Sequence, residues 1–162
     1  MALETATEHL KEFDAQSRIL IFPVSSATVE LAALALGVEA CRIAKTLAFR
    51  ANEGALLVVI AGDAKIDNAK FKSQFAQKAR MLQPEETLEL VGHAVGGVCP
   101  FGVKSGCQVF LDVSLQRFKT VFPAVGSSNS AIELSLDELE RFSLTQGWVD
   151  VCHIKHQEEH HE

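Results

Sequence analysis

Lys45 is the residue whose position most suggests chemistry, because it places a charge on an otherwise apolar face. Residues 42–50 have the pattern of a strand, and its two-residue period puts Ile43, Lys45, Leu47 and Phe49 on one side. An ammonium without a partner is costly on such a face. Three interpretations remain: the stem of Lys45 lies on apolar surface with its ammonium in water, the register is shifted by one residue, or the lysine points into a pocket that binds an anion.

A glycine-rich stretch, residues 92–105 (GHAVGGVCPFGVKS), is the second candidate for chemistry. It comes close to the phosphate-binding pattern G-x-x-x-x-G-K-[ST], but Val103 separates Gly102 from Lys104. A strand-like segment follows where that motif needs a helix, and Pro100 lacks the N–H that a phosphate would use. The pattern therefore disfavours a nucleotide-binding loop. It leaves either a turn between strands or a loop against whose backbone a ligand lies.

Three other groups of reactive residues favour structural roles. Cys99 could be a nucleophile, but His93 is its only nearby histidine and no Cys-His-Asn signature accompanies it, so we interpret it as a structural or pocket-lining thiol. Residues 126–130 (GSSNS) have the composition of a polar turn, although their hydroxyls could line a site. His156 and His160 have helical metal-ligand spacing, but they lie in a polar C-terminal segment typical of a flexible tail.

Composition indicates one soluble globular domain without a metal or cofactor. The chain has 162 residues, 48% of them hydrophobic, and no apolar run long enough to cross a membrane. It shows no signal-peptide pattern, and its four cysteines lack zinc-ligand spacing, so we expect free thiols in the cytoplasm. A net charge of −6 argues against a protein that coats nucleic acid. One basic patch stands out, formed by Lys65, Lys70, Lys72, Lys78 and Arg80.

The elements that must position these residues alternate irregularly along the chain. Helices are predicted over 3–16, from Ser26 or Ala27 to Gly37, and over 67–75, 84–91 and 136–143. Strands are predicted at 18–23, 42–50, 55–61, 107–112, 120–125, 131–135 and 148–152. The helix that ends at Gly37 is apolar on nearly every side, which predicts burial. Most connections are too short for repeated βαβ units. We therefore predict a mixed α+β domain whose six to seven strands curl toward a barrel, with helices outside.

Three segments together resemble the YbaK/ProX family, the free-standing relatives of the editing domain of bacterial prolyl-tRNA synthetases. They are LGVEACRIAKTLAF (36–49), GHAVGGVCPFG (92–102) and GSSNSAIELSLDEL (126–139). The resemblance runs from about residue 20 to residue 152, within a single domain of 1–162 whose residues 153–162 form the tail. It implies a mixed, barrel-like sheet with flanking helices. It also implies a cytoplasmic hydrolase that deacylates mischarged aminoacyl-tRNA at the 3′-terminal adenosine, without a cofactor.

The same resemblance assigns roles to individual residues. Lys45 matches the essential lysine of the family, which engages the phosphate and ribose end of the tRNA, and 96–100 matches its GxxxP loop. With Lys45, Gly96 and Gly97 form the expected catalytic set, and the terminal ribose hydroxyl of the tRNA takes part in the reaction. The expected substrate contacts are Thr46, Val98, Cys99, Pro100, Phe101, Gly126, Ser127 and Ser128. The basic patch is the candidate contact for the acceptor stem, a synthetase is a possible partner, and a homodimer is possible.

Departures from the family leave the edited amino acid open. Cys99 stands where the family often has serine, and Ser127 and Ser128 replace a Lys-Arg pair of the branch that acts on Cys-tRNA. Alanine, serine and threonine are therefore candidates as well as cysteine. Two alternatives to a deacylase remain: a catalytically silent module that binds tRNA or a synthetase, and a hydrolase or redox enzyme that acts through Cys99.

Overall fold

The computed structural model describes residues 2–154, which form five α-helices around a sheet system. The helices are α1 (Ala2–Lys11), α2 (Val29–Leu36), α3 (Asn68–Phe75), α4 (Pro84–Leu90) and α5 (Leu136–Phe142). The strands are β1 (Leu20–Ile21), β2 (Ile43–Arg50), β3 (Ala55–Ala61), β4 (Ala64–Ile66), β5 (Cys107–Asp112), β6 (Thr120–Pro123), β7 (Ser130–Ala131), β8 (Leu134–Ser135), β9 (Trp148–Val149) and β10 (Cys152–Ile154).

The main sheet has six strands in the order β8-β6-β2-β3-β5-β9 and curls into a half-barrel. The β2–β3 hairpin is antiparallel, with Lys45 opposite Ile60. Strands β6, β5 and β9 join by parallel pairing with β2, β3 and β5, while β8 is antiparallel to β6. Two small antiparallel pairs, β1–β7 and β4–β10, complete the architecture. The predicted mixed, barrel-like sheet with outer helices is thus confirmed.

The core forms on both faces of β3, which is buried along its whole length. A strand covered on both sides is typically a continuous apolar run, as ALLVVIA is here. On one face, Phe71 of α3 packs between Phe49 and Phe75, with ring centroids 4.8 Å apart in both pairs. Phe75 meets Phe110 edge-on at 5.1 Å. This aromatic cluster packs α3 against one face of the sheet, where α3 contacts β2 through Phe49 and β5 through Phe110.

Two predicted elements are shorter than expected. The first helix ends at Lys11 instead of residue 16, because the chain turns at Asp14, whose φ is +61°, and Ala15 N–H returns to the Leu10 carbonyl at 3.1 Å. Of the predicted strand 18–23, only β1 pairs, with β7. Leu10 is fully buried, so packed structure begins well before residue 20.

Helix α2 is less buried than its composition predicted. It begins after Thr28, whose hydroxyl accepts the Leu31 N–H at 3.1 Å, not at Ser26 or Ala27. Leu31 is 42% exposed and Leu34 is 81% exposed, so the prediction of a buried helix was wrong. Only the small residues Ala32 and Ala33 are buried, because the helix lies at the rim of the half-barrel and presents one narrow face to it.

Two short strands were missed, β4 in the middle of the chain and β10 near the end of the described residues. Strand β4 pairs with β10, matching Lys65 with His153 and Ala64 with Ile154. Residues 153 and 154 thus lie in a strand and not in the tail that the sequence suggested. The remaining tail, with His156 and His160, lies outside the described residues.

All four cysteines are free. Within residues 2–154, no helix has the length and apolar character needed to cross a bilayer. In the same range, no three histidine, cysteine, aspartate or glutamate side chains come together in a way that could hold a metal ion.

Candidate active site

A cavity of about 310 Å³ opens beside the outer edge of β2. Its volume is that of a site for a small ligand. The start of α2, strand β2, the glycine-rich loop and the ends of β6 and β7 surround it. Larger apolar and hydroxyl-bearing residues share the walls with several alanines, namely Ala27, Ala32, Ala44, Ala48, Ala124 and Ala131.

The cavity exists because β2 lacks a neighbour along part of its outer edge. Strand β6 pairs with β2 only at Ile43 and Ala44. Further along, the Arg50 N–H donates to the Arg80 carbonyl at 2.8 Å, and the Leu82 N–H donates to the Ala48 carbonyl at 3.0 Å. Among the strands in residues 2–154, none pairs with this edge between those two contacts, so residues 45–47 form the floor of an opening.

Lys45 lies on that floor and lines the cavity together with Gly96 and Val98 of the glycine-rich loop. Its side chain is half-buried, between the buried residues Ala44 and Thr46. The positive charge of Lys45 also acts on the nearby Cys152 thiol. Burial and Asp112 raise the pKa of that thiol, and Lys45 opposes this rise. Lys45 and Gly96, which are 51 positions apart in sequence, thus meet at one opening.

Within residues 96–100, hydrogen bonding divides the backbone into two sets. The Gly97 N–H donates to the Ala94 carbonyl at 3.0 Å, the Cys99 N–H donates to His93 Nδ1 at 3.3 Å, and Pro100 has no N–H. The N–H groups of Gly96 and Val98 have no partner among the described hydrogen bonds, and both residues line the cavity. The loop therefore ties down alternate amides and leaves the intervening ones beside the cavity.

Glycine is required at two successive positions of this loop for different reasons. Gly96 has φ +97°, a conformation that side chains disfavour. A Cβ on Gly97 would stand 2.8 Å from the backbone nitrogen and Cα of Ser127. The loop thus packs backbone to backbone against the turn 126–130.

The turn 126–130 supports the site and contributes only its end to the cavity. Ser127 Oγ lies 2.9 Å from Asn129 Oδ1 and 2.8 Å from Ser130 Oγ. The Ser128 carbonyl accepts the Ser26 N–H at 2.6 Å, which ties the turn to the start of α2. Among these residues only Ser130 lines the cavity; Gly126, Ser127 and Ser128 stand outside its walls.

Cys99, Pro100 and Phe101 are not part of the cavity wall. All three are buried, and the Cys99 side chain is fully inaccessible. Burial raises the pKa of the Cys99 thiol to about 12, with weaker opposing effects from the backbone of Phe101 and Gly126. A thiol in this state is protonated near neutral pH and is a poor nucleophile.

Several lining residues were not singled out from the sequence. They are Ser26, Thr28, Met81, Thr87, Val95 and Ser130. Two of them could have been found from local sequence: Ser130 is the last residue of the GSSNS segment, and Thr28 is a residue type that commonly caps a helix. Thr46 was singled out, and its hydroxyl is buried with no hydrogen-bond partner among the described residues.

The five residues of the basic patch are all exposed, but they differ in their contacts. Lys70 Nζ lies 3.2 Å from Asp150 Oδ1 and donates to the Cys152 carbonyl at 2.9 Å. Arg80 directly precedes Met81, a residue of the cavity wall that is 57% exposed. The patch thus reaches the cavity at its Arg80 end, and Lys70 is already engaged in an ion pair.

Comparison with known proteins places the chain among editing domains. A family model described as an aminoacyl-tRNA editing domain matches residues 24–142. The uncharacterised protein YwhH of Bacillus subtilis is 52% identical over 153 residues, which cover 94% of this chain and 98% of YwhH. The proline–tRNA ligase of Thermosipho melanesiensis is 30% identical over 139 residues, 85% of this chain but only 24% of the ligase.

A solved structure supports the same relationship. It is described as a proposed trans-editing enzyme for prolyl-tRNA synthetase, and it superposes with a TM-score of 0.84 at 27% identity, covering 94% of this chain and 97% of its own. The match of the family model extends from before α2 through α5 and includes both Lys45 and the loop 96–100. The chain belongs to the aminoacyl-tRNA editing domain family.

Proposed function

We propose that this protein is a trans-editing hydrolase that removes the amino acid from mischarged aminoacyl-tRNA in the cytoplasm. The observation that carries the proposal is the convergence of Lys45 with Gly96 and Val98 on one small cavity at the open edge of β2. Membership of the editing domain family and the likeness to a proposed trans-editing enzyme support it.

In the proposed reaction, a water molecule attacks the carbonyl carbon of the aminoacyl ester. The ester C–O bond breaks and the amino acid leaves as its carboxylate, while one proton of the water goes to the ribose oxygen of the terminal adenosine and the other is released to solvent. An ester is already activated, so positioned water and fixed hydrogen-bond donors supply the acceleration without a side-chain nucleophile. The N–H groups of Gly96 and Val98 are the donors best placed to stabilise the oxyanion. The neighbouring ribose hydroxyl of the tRNA assists the water.

Lys45 has an electrostatic role in this proposal. A half-buried ammonium at the cavity floor attracts the phosphate and ribose end of the tRNA more strongly than a surface lysine would, since fewer solvent molecules screen it. It places the ester carbonyl against the loop amides. Arg80, at the rim, is the first candidate to hold the acceptor stem beyond the terminal nucleotide.

The cavity walls favour a small amino acid. Alanine side chains from β2, α2 and β7 line the cavity together with hydroxyl-bearing residues such as Thr46 and Ser130, a mixture that suits a small uncharged aminoacyl side chain. Alanine, serine and threonine esters are therefore the first substrates to test. Discrimination among them by one methylene is worth only about 1–3 kcal/mol.

The two alternatives, a silent binding module and a cysteine-based enzyme, have less support than the hydrolase. A silent module that binds tRNA, or a synthetase, would use the same cavity without turnover, and only an assay separates it from a hydrolase. A cysteine-based enzyme would need Cys99 in the cavity as a thiolate, whereas its side chain is inaccessible and burial raises its pKa to about 12.

The test is hydrolysis of a panel of alanyl-, seryl-, threonyl- and cysteinyl-tRNAs by the wild type, Lys45→Ala and Lys119→Ala. Lys119 is exposed and lies away from the cavity wall, so it controls for loss of a positive charge. We expect selective hydrolysis that falls at least about 100-fold in Lys45→Ala and persists in Lys119→Ala. If every ester decays only at the background rate while the protein still binds tRNA, the protein is a silent binding module and not a hydrolase.

A further inference from the structure

Two histidines outside the cavity hold the glycine-rich loop by its backbone. His93 Nδ1 accepts the Cys99 N–H at 3.3 Å, and His9 Nδ1 accepts the Gly102 N–H at 2.9 Å. His93 belongs to the loop segment itself, whereas His9 reaches it from α1. Neither residue lines the cavity. The two imidazoles therefore hold backbone N–H groups of the loop without forming part of the cavity wall.

We propose that His93 and His9 are positioning residues that fix the cavity-facing amides of Gly96 and Val98 by accepting the N–H groups of Cys99 and Gly102. This inference rests on the proposed function, since it assigns those amides to the hydrolytic site. Successive peptide units are rigid planes, so a bond that fixes the Cys99 N–H also limits how the peptide before it can turn. Pro100 has a fixed φ, so it restricts the backbone between the hydrogen bond at Cys99 and the second hydrogen bond, at Gly102.

Packing alone does not explain a histidine at position 93. Its side chain is fully buried, and its Nε2 has no partner in hydrogen-bond geometry among the described residues. A buried polar atom without a partner costs about 1–3 kcal/mol, which leucine or phenylalanine would avoid. Burial lowers the pKa of His93, with a weaker opposing effect from the Phe101 backbone, and this favours the neutral ring, whose Nδ1 can accept a hydrogen bond.

His9 connects the loop to two other elements in a single tautomer. While its Nδ1 accepts from Gly102, its Nε2 lies 2.6 Å from the Phe142 carbonyl, to which it donates. Its ring lies between Phe13 and Phe101, with centroid distances of 5.8 and 5.7 Å. This arrangement needs an acceptor at one ring position and a donor at the other, which only a neutral histidine provides.

The experiment compares His93→Leu, His93→Asn and His9→Leu with the wild type and with the control His153→Leu. Asparagine places its Oδ1 near the position of Nδ1 and keeps the acceptor. His153 lies on β10, away from the loop. On the best ester substrate, we expect His93→Leu and His9→Leu to lose about tenfold to 100-fold in kcat with little change in KM, His93→Asn to recover most of the loss, and His153→Leu to match the wild type.

A second readout, amide hydrogen exchange over residues 93–102, does not depend on activity. We expect faster exchange at Cys99 in His93→Leu and at Gly102 in His9→Leu, with protection at Cys99 restored in His93→Asn. Unchanged exchange in both leucine variants would overturn the proposal, as would an asparagine variant no better than leucine in kcat and exchange. If the wild type hydrolyses no ester, the proposed function fails, and the roles of His93 and His9 are then decided by amide hydrogen exchange at Cys99 and Gly102 alone. If His93→Leu does not fold, His9→Leu decides by the same criteria.

Discussion

Thr46 shows at the scale of one residue how a site can trade stability for a polar group. Its hydroxyl is buried without a hydrogen-bond partner among the described residues, next to Lys45 on the cavity floor. Removing an unsatisfied buried hydroxyl while keeping the shape of the side chain is nearly neutral or stabilising. We expect Thr46→Val to raise the free energy of unfolding by up to about 1 kcal/mol and to lower ester hydrolysis, measured by denaturant titration and by the deacylation assay.

Thr87 provides the matched control for Thr46. It also lines the cavity, but its hydroxyl donates to the Gln83 carbonyl at 2.9 Å. Thr87→Val removes a satisfied hydrogen bond and should lower the free energy of unfolding by about 0.5–1.5 kcal/mol. Equal destabilisation by both substitutions would contradict the assignment of an unsatisfied hydroxyl to Thr46.

His93 predicts a specific pH dependence of stability. Burial lowers its pKa in the folded state below the value of about 6.5 that it has in the unfolded chain. Below that value the unfolded chain takes up a proton that the folded protein does not, so stability falls as pH decreases from about 6.5 toward the folded pKa. Cys99, its hydrogen-bonded neighbour, is neutral over this window because burial raises its pKa to about 12.

The measurement is the free energy of unfolding between pH 7 and pH 5 for the wild type and His93→Asn. The wild type should lose more stability than the variant over this interval, since only the wild type has the buried imidazole. Parallel curves for the two proteins would show that His93 is protonated as easily in the folded protein as in the unfolded chain.

At this scale, the sequence predicted the cavity-lining positions Lys45, Thr46, Gly96 and Val98 but not their geometry. Pattern alone left open whether Lys45 faces water or a pocket, because this depends on which part of the β2 edge remains unpaired. It also could not separate Val98, which lines the cavity, from Cys99, which is fully buried. The Cys99 N–H donates to His93 Nδ1, a contact that no residue-type pattern reveals.

The contact between two elements makes Gly97 sensitive to any side chain. A Cβ at this position would meet backbone atoms of Ser127 at 2.8 Å, and backbone cannot yield as a flexible side chain does. We expect Gly97→Ala to separate the loop from the turn, to cost about 1–3 kcal/mol in stability and to abolish ester hydrolysis. Gly106→Ala is the control, since its Cβ would meet only Gly54 Cα at 3.5 Å. Full activity in Gly97→Ala would show that the loop does not need this contact.

Helix α5 depends on a charge at its first turn. Glu138 completes a capping box with Ser135 and pairs with both guanidinium nitrogens of Arg18, at 2.8 and 3.0 Å. The hydrogen bonds from Arg18 lower the pKa of Glu138 to about 2. The stability that this ionised carboxylate contributes is therefore present above the unfolded value of about 4.3 and is lost as pH falls toward 2.

Glu138→Gln isolates that charge, because glutamine retains the capping geometry. We expect a loss of about 1 kcal/mol at pH 7, limited by the exposure of Arg18, and a flatter decline of stability between pH 5 and pH 2 than in the wild type. Acid-unfolding curves of the two proteins test this. A variant that remains as acid-sensitive as the wild type would place the critical carboxylate elsewhere.

At the scale of elements, the sequence pattern predicted boundaries best for segments that are apolar throughout or marked by a proline. Strands β3 and β5 and the start of α4 have the predicted boundaries, because apolar runs and Pro84 mark them. Pattern failed for α2, whose apolar residues face outward at the rim, and for β4, whose three residues form a strand only by pairing with β10. Both depend on tertiary contacts between segments distant in sequence.

The charge distribution of the whole molecule restricts how it can meet a tRNA. A net charge of −6 repels a polyanion over most of the surface, so under the proposed function we expect contact through the exposed basic patch, which reaches the cavity at its Arg80 end. Within that patch Lys70 already pairs with Asp150, which leaves the Lys78–Arg80 end as the stronger candidate. A protein held by few phosphates should bind with a shallow dependence on salt.

The double variant Lys78→Ala/Arg80→Ala tests this arrangement. Each phosphate contact contributes about 0.9 to the slope of log K against log salt on a duplex, so losing two contacts should flatten the slope by about 2. The measurement is tRNA affinity at several salt concentrations, with Lys119→Ala as a control for the loss of one positive charge elsewhere on the surface. Because the patch would hold the stem and not the ester, kcat at saturating tRNA should change little while KM rises. An unchanged slope would mean that the acceptor stem approaches the cavity from another side, and Lys45 would then be the main cationic contact for the nucleic acid.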